Sequence, residues 1–211
     1  MTYPSYDNNK FSGTVDAEYY NKLNNDMSLP LFNNATQAQK APGSTFKPSW
    51  PWPPWRKRPS VFLKTVNCTG MYQEITPHMR CWIYPGQHGP LDAEHGIMNS
   101  CNVFFADMGH RLSMDENGTY SPELGIEKIR KYAAMFGLDE TSGIEILRKE
   151  SPDDHRKAGG LLHRPANHSY SNVQLARYIT AIANRGTVFK LSLLDKLTDS
   201  QGNLITIIRR R

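Results

Sequence analysis

The sequence predicts a mixed α/β fold of the α+β kind, a cluster of helices with sheet mainly at its C-terminal end. Two observations carry that prediction. Apolar residues recur at helical spacing in three stretches beyond residue 100, and strand-like patterning appears only after Phe189. A length of 211 residues suits one domain with a sizeable core, or a generous part of a larger one. The apolar content of 38% is low and the 14 prolines are many, so a large share of the chain reads as loop.

In chain order, the first forty residues are rich in Asn, Tyr, Ser and Pro, with one short helix expected near Ala17–Asn25. Ala41-Pro-Gly-Ser-Thr-Phe-Lys47 is a turn signal running into a helix start. Pro48, Pro51, Pro53, Pro54 and Pro59 then forbid its continuation, each removing a donor and clashing with the preceding turn. Leu91–Asn99 is expected as a short helix and Val103–Met114 as a longer one, with Phe104, Phe105, Met108 and Leu112 along a stripe. Ser121-Pro122 is an N-cap followed by proline at the first helical position, Ile126, Ile129 and Ala133 follow at helical spacing, and Gly137 closes the helix. Asn172–Asn184 is a further helix with Val173, Ala176, Ile179 and Ala183 on one face and Gly186 as its stop. Phe189–Leu197 reads as a strand, and Asp199-Ser-Gln-Gly202 as a turn into another. There is no internal repeat.

The net charge of +5 suggests nucleic acid or an anionic membrane surface until its distribution is considered. Residues 48–64, 147–167 and Arg209–Arg211 together hold +9, which leaves the remaining sequence at −4. Basicity belongs to three odd patches, so both partner classes are set aside. No apolar run of about 18 residues is present to span a bilayer, and Met1–Lys10 is too polar for a signal peptide. A membrane anchor is therefore expected only in a parent protein. Cys68, Cys81 and Cys101 form neither a disulfide framework nor a Cys-x-x-Cys site. A Cys68–Cys81 bridge is compatible with an oxidising compartment. Cys68, His78, Cys81 and His88 are conceivable zinc ligands whose spacings match no standard site, so no metal is expected.

Ser44-Thr-Phe-Lys47 puts a hydroxyl and an amine three residues apart, on one face at a helix start. A desolvated lysine can take the serine's proton and make it a nucleophile. The helix start also offers N–H groups and a positive dipole to a developing oxyanion. Alone, Ser44 reads equally as an N-cap and Lys47 as a solvated side chain. Ser100-Cys-Asn102 offers a hydroxyl for proton relay and an amide that can hydrogen-bond a peptide group; alone, Asn102 reads as a helix cap.

Together the two motifs resemble the Ser-x-x-Lys and Ser-x-Asn elements of penicillin-binding proteins and related β-lactamases. Pro4-Ser-Tyr-Asp7, Leu31-Phe-Asn-Asn-Ala-Thr-Gln37 and Ala41–Pro48 resemble, in order, the approach to the nucleophile in class B penicillin-binding proteins. Gly86-Gln-His-Gly89 and Ile97-Met-Asn-Ser-Cys-Asn102 are similar to the family's second motif and its lead-in. Lys131–Leu138 and Thr141–Glu145 resemble the segment after it. Gln174-Leu-Ala-Arg-Tyr178 with Ala183-Asn-Arg-Gly-Thr187 resembles the helix before its last motif. The resemblance covers about three quarters of the chain. It implies a truncated transpeptidase/β-lactamase-like domain over 1–211, a helix cluster with an incomplete antiparallel sheet. The reaction implied is peptidoglycan D,D-transpeptidation by an acyl-enzyme mechanism. The serine expels the terminal D-alanine of a D-Ala-D-Ala stem peptide and an amine of a neighbouring stem takes the acyl group; β-lactams mimic the substrate. By position, Ser44 would be the nucleophile, Lys47 its base, Ser100 the proton relay and Asn102 the substrate-backbone contact. No cofactor is implied. Stem peptides, β-lactams and other cell-wall synthesis proteins are the expected partners, at the extracytoplasmic face of the bacterial membrane. A β-lactamase or β-lactam sensor, and a non-catalytic remnant or scaffold, are the competing readings.

Two departures weigh on activity. The family's Lys-Thr-Gly motif is absent, Lys64-Thr-Val66 being misplaced and wrong at its third residue. Losing one oxyanion donor from that strand costs about 10²–10³ in rate. Residues 48–64 replace an apolar helix. Read one nucleotide earlier, Trp50-Pro-Trp-Pro-Pro-Trp-Arg56 becomes an apolar, Ala-containing run ending in Glu, which points to a local frameshift restored near Lys64-Thr65. Residues 147–167 and 205–211 look similarly foreign. The expectation is a poorly folded chain with little or no transpeptidase activity.

Overall fold

The computed structural model describes residues 3–50, 65–145 and 169–207. Most of the atypical tract 48–64, all of 147–167 and the last four residues lie outside them. The chain divides into two compact units, residues 41–140 with 153–169, and residues 1–40 with 141–152 and 170–211.

The first of these holds both motifs. Four short strands make two antiparallel pairs: β2 (Val66–Cys68) with β5 (Gly89–Leu91), and β3 (Met71–Tyr72) with β4 (Met79–Arg80). Helices α2 (Ala93–Met98), α3 (Asn102–Leu112) and α4 (Pro122–Met135) follow. The core is built by α3, which buries Val103, Phe104, Phe105, Ala106 and Met108 against Val66, Cys68, Tyr72, Ile75, Cys81 and Leu91. Its polar flank is tied down by Arg111 Nε on Asp107 Oδ2 at 2.6 Å and by a 2.8 Å bond between Tyr72 Oη and His110 Nδ1. Gly96 lets α2 lie on this core: a Cβ there would meet the Phe104 ring at 2.6 Å. Ser121 caps α4 through a bond from Leu124 N, as its sequence predicts, and Ile129 and Ala133 are buried. Two expectations shift. Leu91 belongs to a strand, and α2 starts at Ala93 because the Asp92 carboxylate accepts from His95 N. At α3 the cap is Cys101, whose sulfur accepts from Phe104 N at 3.4 Å, so Asn102 is the first helical residue.

The second unit contains α1 (Ala17–Asn24), capped by Asp16, in the expected place. Strand β1 (Gln39–Lys40) pairs antiparallel with β6 (Tyr170–Ser171), which leads straight into α5 (Asn172–Ala183). A capping box starts α5, the Ser171 hydroxyl accepting from Gln174 N and the Gln174 carboxamide accepting from Ser171 N. The buried face of α5 is Gln174, Arg177, Tyr178 and Ala181, while Ala176, Ile179 and Ala183 of the expected stripe are exposed. Burying Arg177 is tolerated because its guanidinium donates to Phe189 O at 2.6 Å and Thr141 O at 3.3 Å. The strand expected over Phe189–Leu197 is confined to β7 (Lys196–Thr198), paired antiparallel with β8 (Leu204–Ile207). Upstream the backbone has other partners: Leu191 N donates to Ser142 O, and Leu193 N to the Glu145 carboxylate.

Candidate functional site

Ser44 and Lys47 lie on a seven-residue 3-10 helix, Gly43–Ser49, rather than an α-helix. In that geometry side chains at i and i+3 eclipse, so hydroxyl and amine share one edge. Pro48 lies inside the helix, against the expectation that it would forbid continuation. The helix ends at Ser49, and its C-cap Trp50, the residue before Pro51, takes extended backbone. Ser44 is exposed; Lys47 is half-buried.

The Lys47 ammonium reaches the second motif, more than fifty residues on. Its Nζ donates to Ser100 O at 2.6 Å, Ser100 Oγ at 3.0 Å and Asn102 Oδ1 at 2.9 Å, using all three of its hydrogens. It also stands 5.2 Å over the Phe105 ring. Burial holds Lys47 below the usual lysine range, and the neighbouring Cys101 and Cys81 sulfurs partly offset that fall. Ser100 is placed by a left-handed backbone, φ +48°, between α2 and α3. Asn102 Nδ2 donates to Arg80 O at 3.2 Å, which anchors the carboxamide on β4. The structure thus brings Lys47, Ser100 and Asn102 together, with Ser44 one 3-10 turn before Lys47.

A second cluster underlies the same loop. Cys68 ends β2, Cys81 follows β4, His88 precedes β5 and Cys101 caps α3, so the two strand pairs and one helix start deliver four donors to one place. Their ligand atoms all lie within 4.8 Å of one another. Gly70 permits the turn after Cys68, with φ +87° and a Cβ position that would collide with Gly86 O. The three cysteines are free thiols, so the Cys68–Cys81 bridge that the sequence allows is not formed. The Cys81 and Cys101 sulfurs are 3.8 Å apart. Burial pushes the Cys101 thiol up to about 12. Burial also raises Cys81, but backbone N–H groups of Ile83, Asn102 and Val103 outweigh it and bring that thiol down. Of the conceivable zinc set, Cys68, Cys81 and His88 converge, whereas His78 is exposed and bonded to Ile75 O. Cys101 takes its place. Three sulfurs and an imidazole are the donor set of a tetrahedral zinc site, and His88 Nδ1 faces two of the sulfurs at 3.5 and 3.6 Å. These residues fit a divalent cation and would hold it as a structural ion, with no open ligand position. Sequence spacing missed the set because its ligands come from four separate elements and not one knuckle.

The chain's residues 2–208 match the family model described as the penicillin-binding protein transpeptidase domain. It is 29% identical over 145 residues to the peptidoglycan D,D-transpeptidase MrdA of Haemophilus influenzae, covering 68% of this chain and 20% of that protein. To MrdA of Salmonella typhimurium it is 27% identical over 231 residues, covering 99% of this chain and 34% of the relative. The chain therefore spans about a third or less of the length of these curated relatives. In fold it superposes on the penicillin G acyl-enzyme complex of penicillin-binding protein A from Mycobacterium tuberculosis with a TM-score of 0.76 at 18% identity, covering 100% of this chain and 48% of that one. No helix among the described residues is long and apolar enough to cross a membrane. From the ordered motifs, the architecture and the match over almost its whole length, the chain belongs to the penicillin-binding protein transpeptidase domain family.

Proposed function

We propose that this chain carries the acylation corner of a peptidoglycan D,D-transpeptidase acting at the extracytoplasmic face of the membrane. The observation that supports it best is the grip of Ser100 and Asn102 on a half-buried Lys47, three residues after an exposed Ser44. Desolvation raises the neutral fraction of Lys47, and a neutral amine can take the Ser44 proton as Oγ attacks the carbonyl between the two terminal D-alanines. The proton then passes from Lys47 through the Ser100 hydroxyl, at 3.0 Å, to the leaving D-alanine nitrogen. An ester on Ser44 remains, and an amine of a neighbouring stem peptide displaces it. Asn102 keeps one Nδ2 hydrogen beyond its bond to Arg80 O, available to a substrate carbonyl. A β-lactam would enter by the same attack and stay as the ester.

Intact-mass measurement of the purified chain after a pulse of penicillin tests this reading. Residues 43–49 form an ordered helix and Lys47 is held by Ser100 and Asn102. Against the poor folding anticipated from residues 48–64, we therefore expect a one-to-one penicilloyl adduct that persists for hours, formed slowly for want of the Lys-Thr-Gly donor. Turnover of penicillin with release of the adduct in seconds would favour a β-lactamase instead, and no adduct on folded protein would favour a non-catalytic scaffold.

A further inference from the structure

In the buried cluster Cys81 and Cys101 lie Sγ to Sγ at 3.8 Å. Cys101 stands between Ser100 and Asn102, the two residues that hold Lys47. Thiols this close have two stable fates in an oxidising compartment, ligation as thiolates or oxidation to a disulfide. We propose that the cluster is a thiol switch with two mutually exclusive states: Cys68, Cys81, His88 and Cys101 around a divalent cation of the zinc type, or a Cys81–Cys101 disulfide that has expelled it. The inference goes beyond the acyl-transfer reading; it rests on the extracytoplasmic location in that reading and not on acylation of Ser44.

The oxidation needs an external disulfide, RSSR. In the proposed route the Cys81 sulfur attacks RSSR first and releases RS⁻. Cys101 then attacks the Cys81 sulfur of this mixed disulfide and releases the second RS⁻. Two protons lost by the cysteines end on two RSH, the reagent is reduced by two electrons and the cysteine pair is oxidised by two. Both sulfurs would be ligands in the cation-held state, so occupancy blocks the first attack. Conversely, bonding Cys101 to Cys81 draws on the loop whose Ser100 already sits at φ +48° and whose neighbours grip Lys47. Cys68, facing His88 Nδ1 at 3.5 Å, is left as the unlinked thiol.

The test uses the full chain, reduced and either stripped with a chelator or loaded with Zn²⁺, and then exposed to oxidised glutathione. After alkylation, peptide mapping of the stripped protein is expected to show Cys81 linked to Cys101 and Cys68 alkylated. With Zn²⁺ a hundredfold above its Kd, linkage should be about a hundredfold slower. Co²⁺ in place of Zn²⁺ should give sulfur-to-cobalt charge-transfer absorption that disappears as the link forms. Three alkylatable thiols in the oxidised, stripped protein would overturn the proposal, as would a link to Cys68 or equal rates with and without Zn²⁺. His88→Ala removes a ligand and no thiol, so it should oxidise faster than the parent chain at limiting Zn²⁺; unchanged protection there would also count against the four-ligand state. These readouts are masses and spectra, so their failure is distinguishable from a failure of Ser44 to acylate.

Discussion

Helix α3 and the hairpin β7–β8 represent opposite ways of using apolar residues. Six of the eleven residues of α3 are buried, and the strands they cover lie within forty residues of it in sequence. Every residue of β7 and β8 is exposed, including Leu197, Leu204, Ile205 and Ile207 at 48–66%. A helix laid across two short strand pairs closes a core from its own neighbourhood. A two-stranded ribbon has no face to bury and is marginal by itself. The proposed chemistry sits with the former: Asn102 opens α3, Ser100 precedes it and Phe105 underlies the Lys47 ammonium. Stability and the acylation corner should therefore fail together when α3 is disturbed, and neither should respond to the hairpin.

The largest effect expected is on the corner itself. Ser44→Ala should lower covalent labelling by penicillin about 10⁴-fold or more, since losing a nucleophile removes the step it initiates. Next is Lys47→Arg, which keeps the charge but cannot give up a proton, and should cost about 10²–10⁴ in acylation rate. The parent rate should rise with pH as Lys47 deprotonates, with a midpoint below the ordinary lysine value of 10.5, and the Arg variant should lose that rise. Stability follows the same sign. The folded state binds fewer protons than the unfolded state between the lowered and the ordinary value. The contribution of Lys47 is then full above the unfolded value and lost as pH falls through the folded one. Denaturant melts of the two proteins across alkaline pH check this.

Disturbing the core comes third. Phe104→Ala should cost about 3–5 kcal/mol in urea unfolding, and Gly96→Ala about 1–3 kcal/mol by driving a methyl into the Phe104 ring. Both should reduce labelling in proportion to the protein they unfold. The smallest effect belongs to the hairpin: Ile207→Ser should stay within about 0.5 kcal/mol. A loss several times larger would show that β7–β8 is covered in solution and would undo the contrast with α3.

What the sequence reveals divides along the same line. Signals that act over a few residues are legible: Ser121-Pro122 starts α4 and Asp199–Gly202 turns β7 into β8, though Pro48 fails to stop the 3-10 helix that contains it. The candidate site residues are nominated by their order along the chain, which resembles a family, although their spacing alone is ambiguous. Other features depend on partners distant in sequence. Apolar periodicity assigns the wrong face of α5, since Gln174 and Arg177 are buried by hydrogen bonds to Ser171, Phe189 and Thr141 that no hydropathy pattern encodes. Strand patterning overextends β7 because loop 141–145 captures the backbone at Leu191 and Leu193. The role of Cys101 is hidden for a similar reason: its relation to Cys81 exists only once β3–β4 and α3 have packed.

The central claim is that Ser44, Lys47, Ser100 and Asn102 form one working corner. Labelling of the purified chain by a fluorescent penicillin, beside Ser44→Ala and Lys47→Arg, tests it most directly. The account predicts a stable label that maps to the peptide containing Ser44, is absent from Ser44→Ala and forms slowly in Lys47→Arg. An unlabelled but folded parent chain, or equal label in Ser44→Ala, would contradict it.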